Sequence, residues 1–329
     1  MKAVFLGAGS SCGTLRDSSV CPPVAADFGS QLAKRAPCSA TKYPALAGVA
    51  RHLGIELPYS CLEQIWTCID YYAKLNPALP CQSWLKDAPR ELTQALLCLY
   101  GRTCDWVADK LPLTEDYTLG RLVKELKLGD VVVSFNYDTL FERLAVRCRP
   151  RLPLRTFSRE LRRDVVNFVK PHGSTSWCLD FNKRRLFSAA DDGSPLLDSL
   201  AEEDVDCTRA PLLLGAVPIK SELIQEVQAQ YGVSEVFDAV VRQWKAVVAA
   251  VSQAKAIVVV GYRFPPEDQY GRFLLAEGMR LRPKSMPVNV DYYELERCRE
   301  DTSRSILDAF RWRIGEFNWK REVTAARIT

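Results

Sequence analysis

The sequence predicts a Rossmann-like, doubly wound α/β fold: a mainly parallel sheet carrying an inserted helical module. Three observations point to it. Several short runs are apolar throughout rather than alternating with polar residues, which suits strands of a parallel sheet covered on both faces. Helical patterns fall between those runs. Three of the runs also exit into turns bearing glycine, serine, asparagine or histidine, where an open α/β sheet places its working residues.

The first strand is read at residues 3–6. Its apolar run breaks at Gly7, short of the ~7–15 residues of a signal-peptide core. From 41 to 127 the pattern changes to helices at 62–75, 84–100 and 118–126, with breaks at Pro77, Pro80, Pro89 and Pro112. That predicts a helical module over 41–127, inserted into a domain built from 1–40 and 128–329. The core resumes with a strand at 131–135, a helix at 139–148 and a strand at 165–169. Residues 180–206 are polar and contain glycine and proline, so they read as an excursion or lid with a hairpin around Asn182 to Arg185. A helix at 233–253, a strand at 256–260, a helix at 270–280, a strand at 288–292 and a helix at 295–310 complete the pattern.

Composition narrows the function classes. The chain has 329 residues, 47% of them hydrophobic and 26% charged, which is the profile of a soluble globular protein. The net charge of +4 is spread among interspersed acids and bases, so nucleic-acid binding is not implied. The basic stretch from Arg147 to Arg163 reads as a solvated face, with a phosphate-binding or partner-docking patch as the alternative. No run approaches the ~20 apolar residues of a membrane span. Twelve cysteines are present but no Cys-x-x-Cys pair, so neither a zinc ribbon nor a thioredoxin-type site is supported. Cys61, Cys68, Cys98 and Cys104 fall in apolar helical stretches, as free thiols do in a reducing cytosol. A cytoplasmic protein without a metal is expected.

Three turns carry the chemistry. Gly7-Ala8-Gly9-Ser10-Ser11 follows the first strand, and its glycines would let backbone approach a phosphate, with hydroxyls and amides to bind it. A tight turn with no ligand explains it equally well. The full G-x-G-x-x-G is absent, because position 12 is Cys12, and no acidic residue ends a second strand about twenty positions on. A hydride-transferring enzyme is therefore disfavoured. In Ser134-Phe135-Asn136-Tyr137-Asp138, Asp138 is explained as a helix cap, whereas Asn136 needs hydrogen-bond partners that a ribose hydroxyl or a held water would supply. His172, one of only two histidines, sits in Lys170-Pro171-His172-Gly173-Ser174 and can act as a base near neutral pH. His52 lies in the helical insertion without a polar constellation and receives no role. A fourth turn, Gly261-Tyr262-Arg263-Phe264-Pro265-Pro266-Glu267-Asp268, follows the strand at 256–260, with Asp268 placed to cap the next helix.

Taken together, these turns resemble the sirtuin family in its broad sense, and most of all the sirtuin-like effectors of bacterial antiviral defence. Gly7 to Ser11 is similar to the family's glycine-rich loop, Ser134 to Asp138 to its Asn-x-Asp turn, and Lys170 to Ser174 to its His-Gly turn. Gly261 and Tyr262 match the later loop, and the stretch ending in Asp291 matches the strand beside the adenosine. The resemblance implies NAD as substrate. It implies catalytic roles for Asn136, Asp138 and His172, and NAD contacts from Gly7, Ala8, Gly9, Ser10, Ser11, Gly261, Tyr262 and Asp291. The four-cysteine zinc module of the deacylases is missing, and Cys12-Gly13-Thr14-Leu15-Arg16-Asp17 departs from their sequence after the glycine loop. The expectation is an NAD glycohydrolase acting as a defence effector, regulated by homo-oligomerisation or by a separate sensor chain. A non-catalytic NAD or ADP-ribose binder and an NAD-dependent deacylase are the alternatives.

Overall fold

Strands built only from apolar residues need cover on both faces, and the chain provides it. A computed structural model describes residues 1–14, 25–75, 84–101, 109–113, 116–155, 160–180, 182, 185–188, 209–214, 235–265, 268–283, 285–294 and 314–321. The strands β1 (Lys2–Leu6), β2 (Val131–Ser134), β3 (Leu154–Arg155), β4 (Val166–Val169), β8 (Ala256–Val260), β9 (Val288–Glu294) and β10 (Ile314–Arg321) form one sheet. Its order is β10-β9-β8-β1-β2-β4-β3, and every neighbouring pair is parallel. This is a Rossmann-like α/β sheet.

Successive strand residues point to opposite faces, and each face meets its own helices. Val4, Leu6, Val132, Val258 and Val260 pack under α7 (Thr118–Glu125) and α8 (Leu140–Cys148), through residues such as Leu122, Phe141 and Leu144. Ala3, Phe5, Val133, Ile257 and Val259 pack under α9 (Glu235–Gln253) and α10 (Gln269–Leu281), against Val247, Val251, Leu274 and Leu275. A short α1 (Ala8–Thr14) follows β1 directly.

Among the described residues between α1 and β2, every element is helical. Besides α7 these are α2 (Phe28–Arg35), α3 (Ser39–Lys42), α4 (Pro44–His52), α5 (Leu62–Leu75), α6 (Trp84–Tyr100) and two single 3₁₀ turns. Their shared core of Phe28, Leu46, Val49, Ile65, Leu92, Leu96 and Leu99 also takes in Tyr137 and Leu213, so it reaches the carboxyl edge of the sheet.

The structure departs from the sequence reading in several places. The residues from Gly173 onward form a long strand, β5 (Gly173–Asp180), rather than a turn. All eight are buried, and β5 lies between β6 (Arg185–Ser188) and β7 (Arg209–Leu213) in a separate antiparallel sheet. Its first half, Ser174-Thr175-Ser176, is polar, which hid it from a search for continuous apolar runs. The β5–β6 hairpin closes with Asp180 opposite Arg185, where a hairpin was expected. The strand β10 was also missed. It lies at the end of the sheet order, and its Ile314-Gly315-Glu316-Phe317-Asn318-Trp319 mixes polar residues with apolar ones. The strand β3 is only two residues long. The expected helix at 295–310 and residues 189–206 of the expected lid lie outside the described residues.

One carboxylate ties the helical elements together. Glu91 of α6 is buried, and its Oε2 accepts from the amides of Ala45 at 2.7 Å and Leu46 at 3.0 Å in the first turn of α4. Burial holds its pKa above the ordinary value, outweighing the two amides. The folded state thus binds this proton more tightly than the unfolded state. Glu91's favourable contribution is full below the unfolded pKa and is lost as pH rises through the folded one. Glu91→Gln is expected to flatten that part of the stability profile, read from urea unfolding between about pH 4 and about pH 7.

Candidate active site

The sheet reverses its winding at β1. On one side of β1 lie β2, β4 and, at the edge, β3; the chain then crosses to the other side of β1 for β8, β9 and β10. The crevice beyond strand ends at such a switch point is where α/β sheets bind ligands. Here the exits of β1 and β8 touch. Gly7 N donates to Val260 O at 3.0 Å, and Gly9 N donates to Gly261 O at 2.9 Å. A Cβ on Gly9 would stand 2.7 Å from Gly261 O, and one on Gly261 would stand 2.1 Å from Ser10 N. Gly261 also has φ +58, a conformation open to glycine. The glycines at 9 and 261 are therefore required by the approach of one turn to the other. Ala8 and Gly9 remain partly exposed.

The serines of that loop point inward. Ser10 Oγ donates to Gly7 O at 2.7 Å, and Ser11 Oγ donates to Asp138 Oδ1 at 3.1 Å. Both oxygens accept from Asn136 Nδ2, at 3.2 Å and 2.9 Å. With both amide protons engaged, the carboxamide is locked in one orientation. Its Oδ1 is buried and has no hydrogen-bond partner among the described residues. Leaving such an acceptor unsatisfied costs about 1–3 kcal/mol. It is an acceptor waiting for a donor.

Asp138 was expected to cap the helix, but the cap position of α8 is Thr139; Asp138 stands one residue before it and braces the turn, with Oδ1 also accepting from Leu140 N at 3.1 Å. The turn from Asn136 to Asp138 is fastened from below by Lys170, whose Nζ donates to Asp138 O at 2.5 Å and to Glu142 Oε1 at 2.8 Å. Both partners of that ion pair are buried, at 1% and 3% side-chain exposure. Burial pushes the Glu142 carboxyl above its ordinary pKa, while Lys170 opposes the shift. Tyr137 is fastened as well: its carbonyl accepts from Thr175 N and Oγ1, and its hydroxyl donates to Leu214 O. Its ring stacks on Trp66 of α5 and meets Tyr100 of α6 edge-on, so the helices reach the site through this residue.

His172 sits at the same edge of the sheet, in a turn held on several sides. Gln243 Oε1 accepts from Lys170 N at 2.9 Å, Trp244 Nε1 donates to Pro171 O at 3.1 Å, and Leu214 N donates to His172 O at 2.8 Å. The imidazole is buried. It lies edge-on to Phe135, ring centres 5.2 Å apart, with Nε2 3.2 Å from Asp268 Oδ2. Nε2 thus stands beside the Asp268 carboxylate, close enough for an ion-pair contact but without the alignment of a hydrogen bond. Lys170, Glu142, Gln243 and Trp244 carried no role in the sequence reading, because their partners lie about 30 to 70 residues away in the chain. Asp268 was read only as the cap of α10, which it is, accepting from Gly271 N at 2.9 Å.

Asp291 lies within β9, opposite Val258 of β8, and accepts from Asn318 Nδ2 of β10 at 3.2 Å. It stands short of the strand ends at which the glycine turns meet. Among the described residues no group of three or more His, Cys, Asp or Glu could hold a metal ion, and no helix is long and apolar enough to cross a membrane.

No family model matches the chain, and neither does any curated protein. One similar solved structure is a mutant Sir2 homologue in complex with 2′-O-acetyl ADP ribose. It aligns over 96% of this chain and 85% of its own, at 11% identity and a TM-score of 0.36. A likeness at that level decides nothing about function.

The Lys170–Glu142 pair yields a direct test. Lys170→Met leaves a buried carboxylate without its counter-charge and is expected to cost about 3–5 kcal/mol in chemical denaturation. Adding Glu142→Leu to that variant is expected to recover much of the loss.

Proposed function

We propose that the chain hydrolyses the nicotinamide–ribose bond of NAD, releasing nicotinamide and ADP-ribose. The observation that carries the reading is the buried Oδ1 of Asn136, oriented by Ser10 and Ser11 yet lacking a donor. It sits where the first glycine turn, the Asn136 turn and the Lys170–Gly173 turn converge at a topological switch point. The sequence resemblance to sirtuin-like NAD hydrolases falls on those same turns.

In this mechanism the glycosidic bond breaks with its electron pair leaving on the nicotinamide nitrogen, and a water oxygen bonds to the ribose carbon. Asn136 Oδ1 accepts from that water or from a ribose hydroxyl and so fixes its position. Asp138 keeps the turn rigid through Ser11 and Leu140. His172 takes the proton released by the water. Ala8 and Gly9, the partly exposed members of the glycine loop, are where the diphosphate approaches the backbone. Ser10 and Ser11 act through Asn136, with Gly7, Gly261 and Tyr262 forming the wall behind them. Asp291 flanks the adenosine. Such an activity depletes a cell's NAD. The reading therefore includes a defence effector kept in check by self-association or by a separate sensor chain.

A second reading, binding of NAD or ADP-ribose without turnover, is favoured by one feature: the buried His172 Nε2 lies 3.2 Å from the Asp268 carboxylate. Incubating the purified protein with NAD and resolving the products by chromatography separates the two. Nicotinamide release is expected, reduced by about 10²–10⁴-fold in Asn136→Ala and in His172→Ala. Turnover at the parent rate in both variants would overturn the mechanism. Binding with no products would establish the second reading, and release that requires an acylated lysine peptide would make the protein a deacylase.

A further inference from the structure

We infer that Asp268 is the positioning residue for His172, the carboxylate beside Nε2 drawing the ring proton to that nitrogen and so setting the tautomer of the ring. The kinetic consequence rests on the NAD-hydrolase reading; the tautomer does not.

A helix cap needs one carboxylate oxygen, and Asp268 uses Oδ1 for that, on Gly271 N. Its Oδ2 faces the other way. It receives the Tyr262 hydroxyl at 2.5 Å and stands 3.2 Å from His172 Nε2. Asp268 is 3% exposed and His172 7%, so this grouping is shielded from water, where an Asp–His contact is far stronger than at a surface.

Three further features hold the carboxylate in place. The Tyr262 ring lies flat on Phe135, centroids 4.2 Å apart and planes 11° from parallel, which aims its hydroxyl at Asp268. Burial and the Asp268 charge keep that hydroxyl protonated, and therefore a donor. Gly271 leaves the required space, since a Cβ there would stand 2.4 Å from Tyr262 Oη and 2.5 Å from Asp268 Oδ2. Phe135 also lies edge-on to the imidazole, so one aromatic ring steadies both ends of the Tyr262–Asp268–His172 arrangement.

A carboxylate in this position accepts only, so its charge 3.2 Å away favours the proton at Nε2 over the proton at Nδ1. Replacing it with a carboxamide preserves the shape and the cap but offers an N–H donor to Nε2, which favours the wrong tautomer.

The chain has two histidines, so ¹⁵N-labelled histidine gives two ring signal sets, and His52→Gln identifies the one from His172. In the parent chain His172 is expected to be protonated at Nε2 when neutral. Protonation at Nδ1 overturns the inference without any variant, so a misfolded substitution cannot shield it. In Asp268→Asn the proton is expected to move to Nδ1, with the thermal unfolding transition retained. Nicotinamide release is then expected to fall about 10²–10⁴-fold in kcat with little change in KM, and Asp268→Glu is expected to recover part of it. An unchanged tautomer and unchanged kcat in Asp268→Asn overturn the positioning role while the hydrolase reading stands. A parent chain that releases no nicotinamide overturns the hydrolase reading, and the Nε2 tautomer then still decides the pairing.

Discussion

The backbone contact between the exits of β1 and β8 governs the rest of the site. Two strands of a parallel sheet usually part after their last ladder bond, but here the pairing continues past the strand ends, through Gly7 to Val260 and Gly9 to Gly261. The contact has no room for a single Cβ on Gly9 or Gly261. Because the two turns are locked together, Ser10 and Ser11 arrive beneath Asn136 from one side. Tyr262 arrives against Phe135 and Asp268 from the other. A small error in that contact would reach the orienting groups of both Asn136 and His172.

Polar side chains at the site are almost all buried and nearly all engaged. Lys170 bonds the Asp138 carbonyl and Glu142, Thr175 bonds the Tyr137 carbonyl, and Gln243 bonds the Lys170 amide. Buried networks of this kind rigidify when satisfied and destabilise when broken. Asn136 Oδ1, Glu142 Oε2 and His172 Nε2 are the atoms of this network left without a hydrogen-bond partner among the described residues, and of these Asn136 Oδ1 is the one whose group is fixed by two hydroxyls. The helices between α1 and β2 share in this rigidity, because Trp66 and Tyr100 pack on Tyr137, the residue between Asn136 and Asp138. A displacement of those helices acts directly on the Asn136 turn.

Much of the architecture was legible because buried parallel strands leave a plain signal. Five runs of apolar residues matched β1, β2, β4, β8 and β9 to within about two residues. The strands that escaped were those for which burial does not require an unbroken apolar run. The strand β10, at one end of the sheet order, mixes polar with apolar residues. The strand β5 is buried throughout, but it satisfies Ser174, Thr175 and Ser176 by hydrogen bonds within the strand and to the distant Tyr137 carbonyl. The candidate residues were legible in kind. Asn136 was singled out because an asparagine between two aromatics needs partners, and His172 because a histidine at a strand exit is scarce here. Who those partners are could not be read, since Ser11 and Asp268 lie 125 and 96 positions away.

The sequence by itself determined the fold class, the strands of the sheet's middle, the cap at Asp268, and which turns bear the polar side chains that meet at the strand ends. These follow from local rules: side-chain periodicity, capping chemistry and glycine at tight exits. Only the tertiary structure decided that the glycines serve the meeting of two turns, that the serines of the loop orient Asn136, and that His172 is paired with Asp268. Those outcomes depend on through-space distances of about three ångströms between distant segments. Such distances are set by how the strands stack in the sheet, and no spacing along the chain encodes them.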